Sequence, residues 1–423
     1  MYLEDIEVFL CDNSNYLINL YDGDLFLLDD KENFLSIYRT NNFNNEEEKE
    51  IYNFIKTNRD IKNNYRINSN ISDIDTVRIN VSNSCNLACT YCYANGGNYK
   101  NENNIMSKKV AEDIVRFLKE NMNHIETIFF FGGEPLLNID IIEYICGEFK
   151  DKSFKLITNG TLINEKIIDV IKKYDIAIGL SLDGPRNIHD NSRITKEGNP
   201  TFDIIIKNIQ KLKDNNINII NIQGTFTEFT NKHISKDDLV KYFDNNFEVK
   251  FLTVSDDVNN RTATYSENEN YVIKSIMNEK NVLLGLTMKA LLNSKSSNAI
   301  TDFKCGASNA SMLIYSDGKI YPCQRFISEK DLILTDIYNY NKENFKSKRN
   351  LFNEKYLNIN KCNNCMAKFV CTICLADRSE VNEEFCSTVR NKCGEVYNNL
   401  PNYLLDEDLM KHYEKITIDK IGL

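Results

Sequence analysis

The chain has 423 residues, 42% hydrophobic and 26% charged, the balance of a globular protein too long for one ordinary core. Its net charge of −10 argues against a chain-wide phosphate-binding surface, so no nucleic acid partner is expected. No apolar run approaches the ~20 residues that span a bilayer, and Met1-Tyr2-Leu3-Glu4-Asp5 is acidic where a secretory signal would be basic. A cytoplasmic protein without membrane contact is the expectation, and there thirteen cysteines imply metal or redox chemistry rather than disulfides.

Residues 1–56 read as a small separate unit. Strand-like stretches at Glu7–Cys11, Tyr16–Leu20 and Leu25–Leu28 are separated by turn residues such as Asp12-Asn13 and Asp22-Gly23. A helical stretch over Glu46–Lys56 follows, with Ile51, Tyr52 and Ile55 at helical spacing. Residues 57–74, rich in Asn and Asp, read as a linker, so the first domain is placed at 1–74.

From Thr76 the pattern changes. Apolar and β-branched runs at Val77–Val81, Thr127–Phe131, Phe154–Ile157, Ile176–Leu182, Ile217–Gly224 and Val249–Val254 alternate with helical stretches. The helices fall at Lys108–Asn121, Ile139–Phe149, Glu165–Tyr174, Phe202–Asp214 and Ser235–Phe243. Six strands alternating with helices predict an α/β domain over 75–299 with a parallel sheet, an open, partial (β/α)6 barrel rather than a closed eight-strand one. Its ligand site belongs at the C-terminal ends of the strands. Residues 256–299 read as a connector, polar at first and helical around Tyr271–Ser294.

Directly after the first of these strands come Cys85, Cys89 and Cys92, spaced C-x3-C-x2-C with no fourth cysteine nearby. Thiolates usually close a site in fours, around zinc or an iron–sulfur cube. Three around a cube leave one iron open to a small molecule; the other reading is half of a zinc site. Later strand ends carry polar residues too. Gly132-Gly133-Glu134-Pro135 offers close backbone approach and a carboxylate for an ammonium group. Thr158-Asn159-Gly160-Thr161 and Ser181-Leu182-Asp183-Gly184-Pro185 fit loops facing the same place, and Arg193 could pair with a carboxylate in a two-pronged geometry. His189 reads as a structural histidine rather than a base. Cys11 and Cys146, in apolar settings, read as core residues.

These motifs together resemble the radical S-adenosylmethionine (radical SAM) enzymes. The resemblance implies a [4Fe–4S] cluster on Cys85, Cys89 and Cys92 whose open iron holds the amino and carboxylate groups of SAM. It implies that Gly132, Gly133, Glu134, Ser181 and Arg193 bind SAM, and that the product is a 5′-deoxyadenosyl radical. A reductant of flavodoxin or ferredoxin type would supply the electron.

Eight cysteines remain between Cys305 and Cys393, enough for two four-ligand sites, and spacing alone leaves zinc and iron–sulfur open. The order Cys305…Gly318-x4-Cys323, then Cys362-x2-Cys365-x5-Cys371-x2-Cys374, then Cys386 and Cys393, is similar to the SPASM extension of radical SAM enzymes. That resemblance places a third domain at 300–423 with two auxiliary [4Fe–4S] clusters, three in the whole protein. One would take Cys305, Cys323 and Cys374, the other Cys362, Cys365, Cys371 and Cys393. The central group ends with x2 where x3 is usual, and Cys386 is surplus. It either completes the first auxiliary cluster or leaves that cluster an open iron.

SPASM relatives mostly act on peptides and proteins. The strand-strand-strand-helix order at the N-terminus looks like the small winged-helix-type module with which peptide maturases grip a leader; the other reading is a capping extension. The expected function is a maturase that oxidatively cross-links a ribosomally made precursor peptide with a leader, by a thioether or another bond. A protein side-chain oxidase of the anaerobic sulfatase-maturating type is the alternative. Such an enzyme has an aspartate just after an auxiliary cysteine, where this sequence has Gln324 and Arg325 after Cys323. From another class, a zinc-dependent binding protein is the competing reading of the same cysteines.

Overall fold

The structure is a computed structural model. It describes residues 74–217, 219–247, 251–256, 272–273, 306–357 and 383–404, together with short pieces of 2–57 and of 362–377. Contacts divide the protein into two units: Asn70–Lys274 with Gly306–Asn353, and Met1–Ser69 with Ser275–Cys305 and Glu354–Leu423.

The first unit is built on a ten-stranded open sheet. Six parallel strands, β5 (Thr76–Ser82), β6 (Thr127–Gly132), β7 (Ser153–Thr158), β8 (Ala177–Ser181), β9 (Ile219–Phe226) and β10 (Phe251–Asp256), lie side by side in sequence order. Between them run the helices α1 (Lys108–Asn121), α2 (Ile139–Glu148), α3 (Glu165–Lys173), α4 (Arg186–Ser192), α5 (Phe202–Asp214), α6 (Glu228–His233) and α7 (Lys236–Asn246). Every strand and long helix expected between 76 and 256 is present, within two residues at most ends and three at the end of α7. The local causes are plain. In α3 the side chain of Asn164 accepts from the Ile167 N–H, a cap worth about 1 kcal/mol, and Ile167, Ile168, Val170 and Ile171 are all buried. Each buried isoleucine adds about 1.5–3 kcal/mol of transfer free energy.

Two helices have no clear signal in the sequence. α4 starts behind Pro185 and contains Asn, His, Asp, Asn and Ser in seven residues, so no propensity announces it. α6 has six residues and is held by a capping box between Thr227 and Thr230. One expectation is corrected. Val272–Ile273, expected to begin a helix, forms β11 and pairs antiparallel with β10. Two β-branched residues there add to the unpaired edge of β10. The rest of the expected connector and its helix lies outside the described residues.

The sheet continues on its other edge. β12 (Ser311–Ile314) pairs parallel with β5, followed antiparallel by β13 (Lys319–Tyr321) and β14 (Thr335–Asp336). Residues 306–353 therefore group with the sheet, and the contacts draw the divisions differently from boundaries at 74 and 299. Helix α8 (Lys342–Leu357) follows β14, and its fully buried Arg349 donates from Nε to the Ser308 carbonyl at 2.7 Å.

In the second unit β1 (Tyr2–Leu3), β2 (Val8–Leu10), β3 (Tyr16–Asn19) and β4 (Leu25–Leu27) form an antiparallel meander. Three of these strands match the expected stretches; β1 is additional. Described residues 46, 49, 50 and 53 are helical. The meander sits on α9 (Glu383–Leu404): Phe9 and Tyr397 rings lie 5.2 Å apart, Cys11 Sγ donates to the Tyr397 carbonyl, and Asp12 and Asn398 exchange two hydrogen bonds. Cys11 and Cys146 are fully buried, as expected of core residues. No helix among the described residues is long and apolar enough to cross a membrane.

Candidate active site

The loop after β5 carries Cys85, Cys89 and Cys92 to the C-terminal edge of the parallel strands. It is stitched down at several points. Gly133 N–H donates to the Ser82 carbonyl at 2.8 Å and Glu134 N–H to the Ser84 carbonyl at 2.9 Å. Ala88 and Thr90 N–H donate to the carbonyls of Ile194 and Ser192, at and just after the end of α4. Asn86 donates to Thr161 Oγ1 at 2.7 Å and accepts from Asn159 Nδ2 at 2.9 Å. Behind Cys92, the loop residues Ala94 and Tyr99 join a buried cluster with Leu313, Tyr315 and Tyr321 of the β12–β13 hairpin.

The glycines serve this approach. A Cβ on Gly132, which has φ +156°, would lie 2.4 Å from the Ser82 carbonyl oxygen. One on Gly133 would lie 2.5 Å from the Ser84 oxygen and 2.8 Å from Gly97 Cα. With the N–H groups of Gly133 and Glu134 used on the cysteine loop, carbonyl oxygen is what this turn can offer an ammonium group. Glu134 itself is buried behind the turn. One carboxylate oxygen accepts from Leu136 N–H and Thr158 Oγ1 and the other from Asn159 N–H, at 2.7–3.0 Å. Its carboxylate ties the end of β6 to the end of β7. Burial pushes it up to about 7, against the three hydrogen bonds that pull it down.

Each cysteine sulfur faces an N–H donor. Cys85 Sγ accepts from Leu87 N–H at 3.4 Å and Asn159 Nδ2 at 3.7 Å, Cys92 Sγ from Gly96 N–H at 3.3 Å, and Arg193 Nη1 stands 4.0 Å from Cys89 Sγ. Burial pushes the Cys85 thiol up to about 12, with Glu134 adding to it; burial also raises Cys89, while Arg193 opposes. A metal must therefore displace protons to bind here. Among the described residues no three His, Cys, Asp or Glu side chains converge on one point as ligands of a single ion would. Thiolates around a cube bind separate irons and stand further apart. Three thiols from one loop, N–H donors turned on each sulfur and a cation beside one fit a cube with one open iron.

Arg193 is fixed by a residue to which the sequence alone assigns no role. Asp183, buried after β8, accepts from Arg193 Nε at 3.1 Å and Thr225 N–H at 2.9 Å on one oxygen, and from the Tyr91 hydroxyl at 2.7 Å on the other. The guanidinium lies over the Tyr91 ring, 5.5 Å from its centroid. Burial would lower the Arg193 pKa, but Asp183 outweighs it and the guanidinium stays charged. In the sequence Tyr91 is merely an aromatic before Cys92; the signal that finds both residues is their shared need to hold one arginine. Ser181 ends β8, buried, and its hydroxyl has no protein partner among the described residues.

His189 is structural. Its Nδ1 accepts from Asp183 N–H at 3.3 Å. Its Nε2 meets Thr201 Oγ1 at 3.0 Å, and that hydroxyl donates to the Arg193 carbonyl. The ring is thus the neutral Nε2–H tautomer, and burial pushes its pKa down to about 4. A folded value below the unfolded one means stability present above pH 6.5 and lost as pH falls through 6.5 toward 4. Glu134 has the opposite sense, its contribution lost as pH rises through about 7. Imidazole NMR is expected to show His189 neutral at about pH 5.3, midway between its ordinary and its folded value; an imidazolium there contradicts the assignment.

The remaining cysteines divide between the units. Cys323 follows β13, buried, in the sheet unit. Cys362, Cys365, Cys371, Cys374, Cys386 and Cys393 belong to the other unit, and Cys305 lies outside the described residues. Cys362 and Cys365 share one turn, with Cys365 N–H on the Cys362 carbonyl. Cys386 and Cys393 are seven residues apart on α9 and so lie on one helix face. Arg390 of α9 reaches Cys365.

Residues 79–235 match the family model of the Radical SAM superfamily. An uncharacterized protein of Methanocaldococcus jannaschii is 40% identical over 171 residues, 39% of this chain and 56% of the relative. The radical SAM cyclopropyl synthase TigE of Paramaledivibacter caminithermalis is 30% identical over 209 residues, 44% of this chain and 41% of its own. The protein thus spans about half the length of these two relatives. A cysteine-type anaerobic sulfatase-maturating enzyme of Clostridium perfringens is 26% identical over 303 residues, 62% of this chain and 79% of the enzyme. Among solved structures, native anSMEcpe with bound AdoMet superposes with a TM-score of 0.59 at 21% identity, covering 81% of this chain and 99% of that one. SuiB of Streptococcus suis bound to S-adenosylmethionine has a TM-score of 0.51 at 16% identity, covering 91% and 98%. At these identities the structures show a shared fold.

Proposed function

We propose that this protein, whose residues 79–235 are a Radical SAM superfamily domain, is a peptide maturase that oxidatively cross-links a ribosomally made peptide. The observation that carries the reading is the Cys85–Cys92 loop, three thiols with N–H donors turned toward them and an arginine beside one. A reduced [4Fe–4S] cluster held there would supply the electron for reductive cleavage of SAM. The protein's own part is to hold and orient. Cys85, Cys89 and Cys92 ligate the cluster. The carbonyl edge at Gly132 and Gly133 accepts from the SAM ammonium, Glu134 keeps that edge in place, and Ser181 and Arg193 take the SAM carboxylate.

Cys305, Cys323 and Cys374, with Cys386 as the surplus ligand, and Cys362, Cys365, Cys371 and Cys393 would hold two auxiliary clusters as electron acceptors. A peptide substrate is supported by neighbours of the same fold, anSMEcpe with a Cp18Cys peptide and SuiB with the precursor peptide SuiA. A leader would add to the edge of the N-terminal meander at β4, where Leu27 is 63% exposed. Side-chain oxidation of the sulfatase-maturating type is the second reading, favoured by the extent of the Clostridium perfringens match. Against it, the position after Cys323 is Gln324, whose Oε1 accepts from Arg78 at 2.7 Å.

Anaerobic reconstitution tests the reading. About eleven to twelve irons per molecule, with dithionite-dependent formation of 5′-deoxyadenosine, are expected. A colourless protein with stoichiometric zinc overturns it. Deleting residues 1–56 would strip Phe9 and Cys11 from Tyr397, so a point change tests the leader site more cleanly. Leu27→Asp is expected to weaken binding of a leader peptide and leave SAM cleavage without peptide unchanged; undiminished leader affinity refutes the β4 role.

A further inference from the structure

One face of β5 carries hydrogen-bond donors that lack acceptors. Val77, Ile79 and Val81 are fully buried on one side of the strand. Arg78 and Asn80 alternate to the other. The Arg78 guanidinium lies over the Phe129 ring of β6, 5.4 Å from its centroid. Its Nη1 donates to Gln324 Oε1, a neutral partner, and its Nε is buried with no hydrogen-bond partner among the described residues. Nor does any carboxylate among them pair with it. Two residues on, Asn80 is fully buried. Its Oδ1 accepts from Ser82 N–H at 3.2 Å, which fixes the amide orientation, and its Nδ2 has no partner among the described residues.

Two further basic residues lie nearby. Lys155 of β7 stands in register with Phe129, which is itself in register with Arg78, so a cation flanks the aromatic ring on each neighbouring strand. Arg325, next to Gln324, lies over the Tyr93 ring, 5.0 Å from its centroid.

A half-buried guanidinium without a counter-ion, its Nε shielded and unpaired, and a buried amide N–H without an acceptor both suit the same ligand group. We propose that Arg78 and Asn80 form a subsite for a carboxylate of the substrate, either on an Asp or Glu residue or at the C-terminus of a peptide. One full positive charge plus one neutral donor matches a singly charged, planar acceptor better than a phosphate. Asn80 stands two residues, roughly 7 Å, before the strand end from which the cysteine loop departs. A carboxylate held there anchors the substrate close to the reacting edge. The identification of the carboxylate's owner as substrate rests on the peptide-maturase reading.

The test uses the reconstituted protein with SAM and four probes. N-acetylglutamate α-amide is compared with N-acetylglutamine amide for an acidic residue, and N-acetylalanine with N-acetylalanine amide for a C-terminus. In wild type, titration followed by NMR is expected to show at least about tenfold tighter binding of the acid than of its amide in one pair, the size of a charge-assisted hydrogen bond. The pair that responds identifies the source. Arg78→Met is expected to bring the ratio to about one. Asn80→Asp leaves Arg78 in place and gives it an internal counter-ion, so it should erase the preference too, even where Arg78→Met does not fold. Equal binding of acid and amide in wild type, or a preference that survives in both variants, overturns the subsite. SAM cleavage without peptide is measured on the same samples. Its absence in wild type would remove the catalytic reading and leave the carboxylate result standing.

Discussion

Cys89→Ala is expected to abolish dithionite-dependent formation of 5′-deoxyadenosine. Cys89 sits midway in the loop, its sulfur 4.0 Å from Arg193 Nη1. Two thiols then remain for a cluster that needs three, and no other cysteine belongs to the loop to replace it. Cys362, Cys365, Cys371, Cys374, Cys386 and Cys393 belong to the other unit, so auxiliary clusters should still assemble. Iron content is expected to fall by about four per molecule, with the brown colour retained. Continued 5′-deoxyadenosine production by the variant would sink the assignment of this loop. Complete loss of iron would show that the clusters assemble as one unit.

Asp183→Ala should be the most destabilising single change outside the apolar core. Asp183 is the counter-ion of Arg193, and their side chains are 1% and 11% exposed. It also accepts from Tyr91 and from the Thr225 backbone. Removing one partner of a buried pair leaves an uncompensated charge, which costs about 3–5 kcal/mol. For a unit of this size that lowers the unfolding midpoint by roughly 6–20 °C. Asp183→Asn keeps an acceptor for Arg193 Nε and Thr225 N–H and should fall between the two. A midpoint for Asp183→Ala within about 2 °C of wild type, less than 1 kcal/mol would produce, would show that Arg193 turns to another anion. SAM affinity should fall with stability, because Arg193 is held toward the site through Asp183 and the Tyr91 ring.

Much of the site lies open in the sequence because parallel β-α units place strand ends, and therefore the motifs that follow them, on one edge. The C-x3-C-x2-C run, the Gly132-Gly133 turn and Ser181 each follow or end a strand that periodicity locates. The family resemblance attaches chemistry to those positions. What stays hidden are relations between residues distant in sequence. Glu134 is legible as a carboxylate beside the glycine turn, but its bonds to Leu136, Thr158 and Asn159, which tie the end of β6 to β7, are not. Arg78 looks like one polar position in a strand until Gln324, 246 positions later, comes to lie against it.

The sequence by itself determined the alternation of strands and helices, the edge on which the site lies, and the three thiols that open it. Hydrophobic period and cysteine spacing are local properties, legible in a window of a few residues. Only the tertiary structure decided that residues 306–353 extend the same sheet through β12, that the N-terminal meander rests on α9, and which charges are balanced. Asp183 satisfies Arg193, whereas nothing among the described residues neutralises Arg78. That difference arises from burial and from the pairing of side chains across strands, which depend on the whole packed fold and not on any one stretch of it.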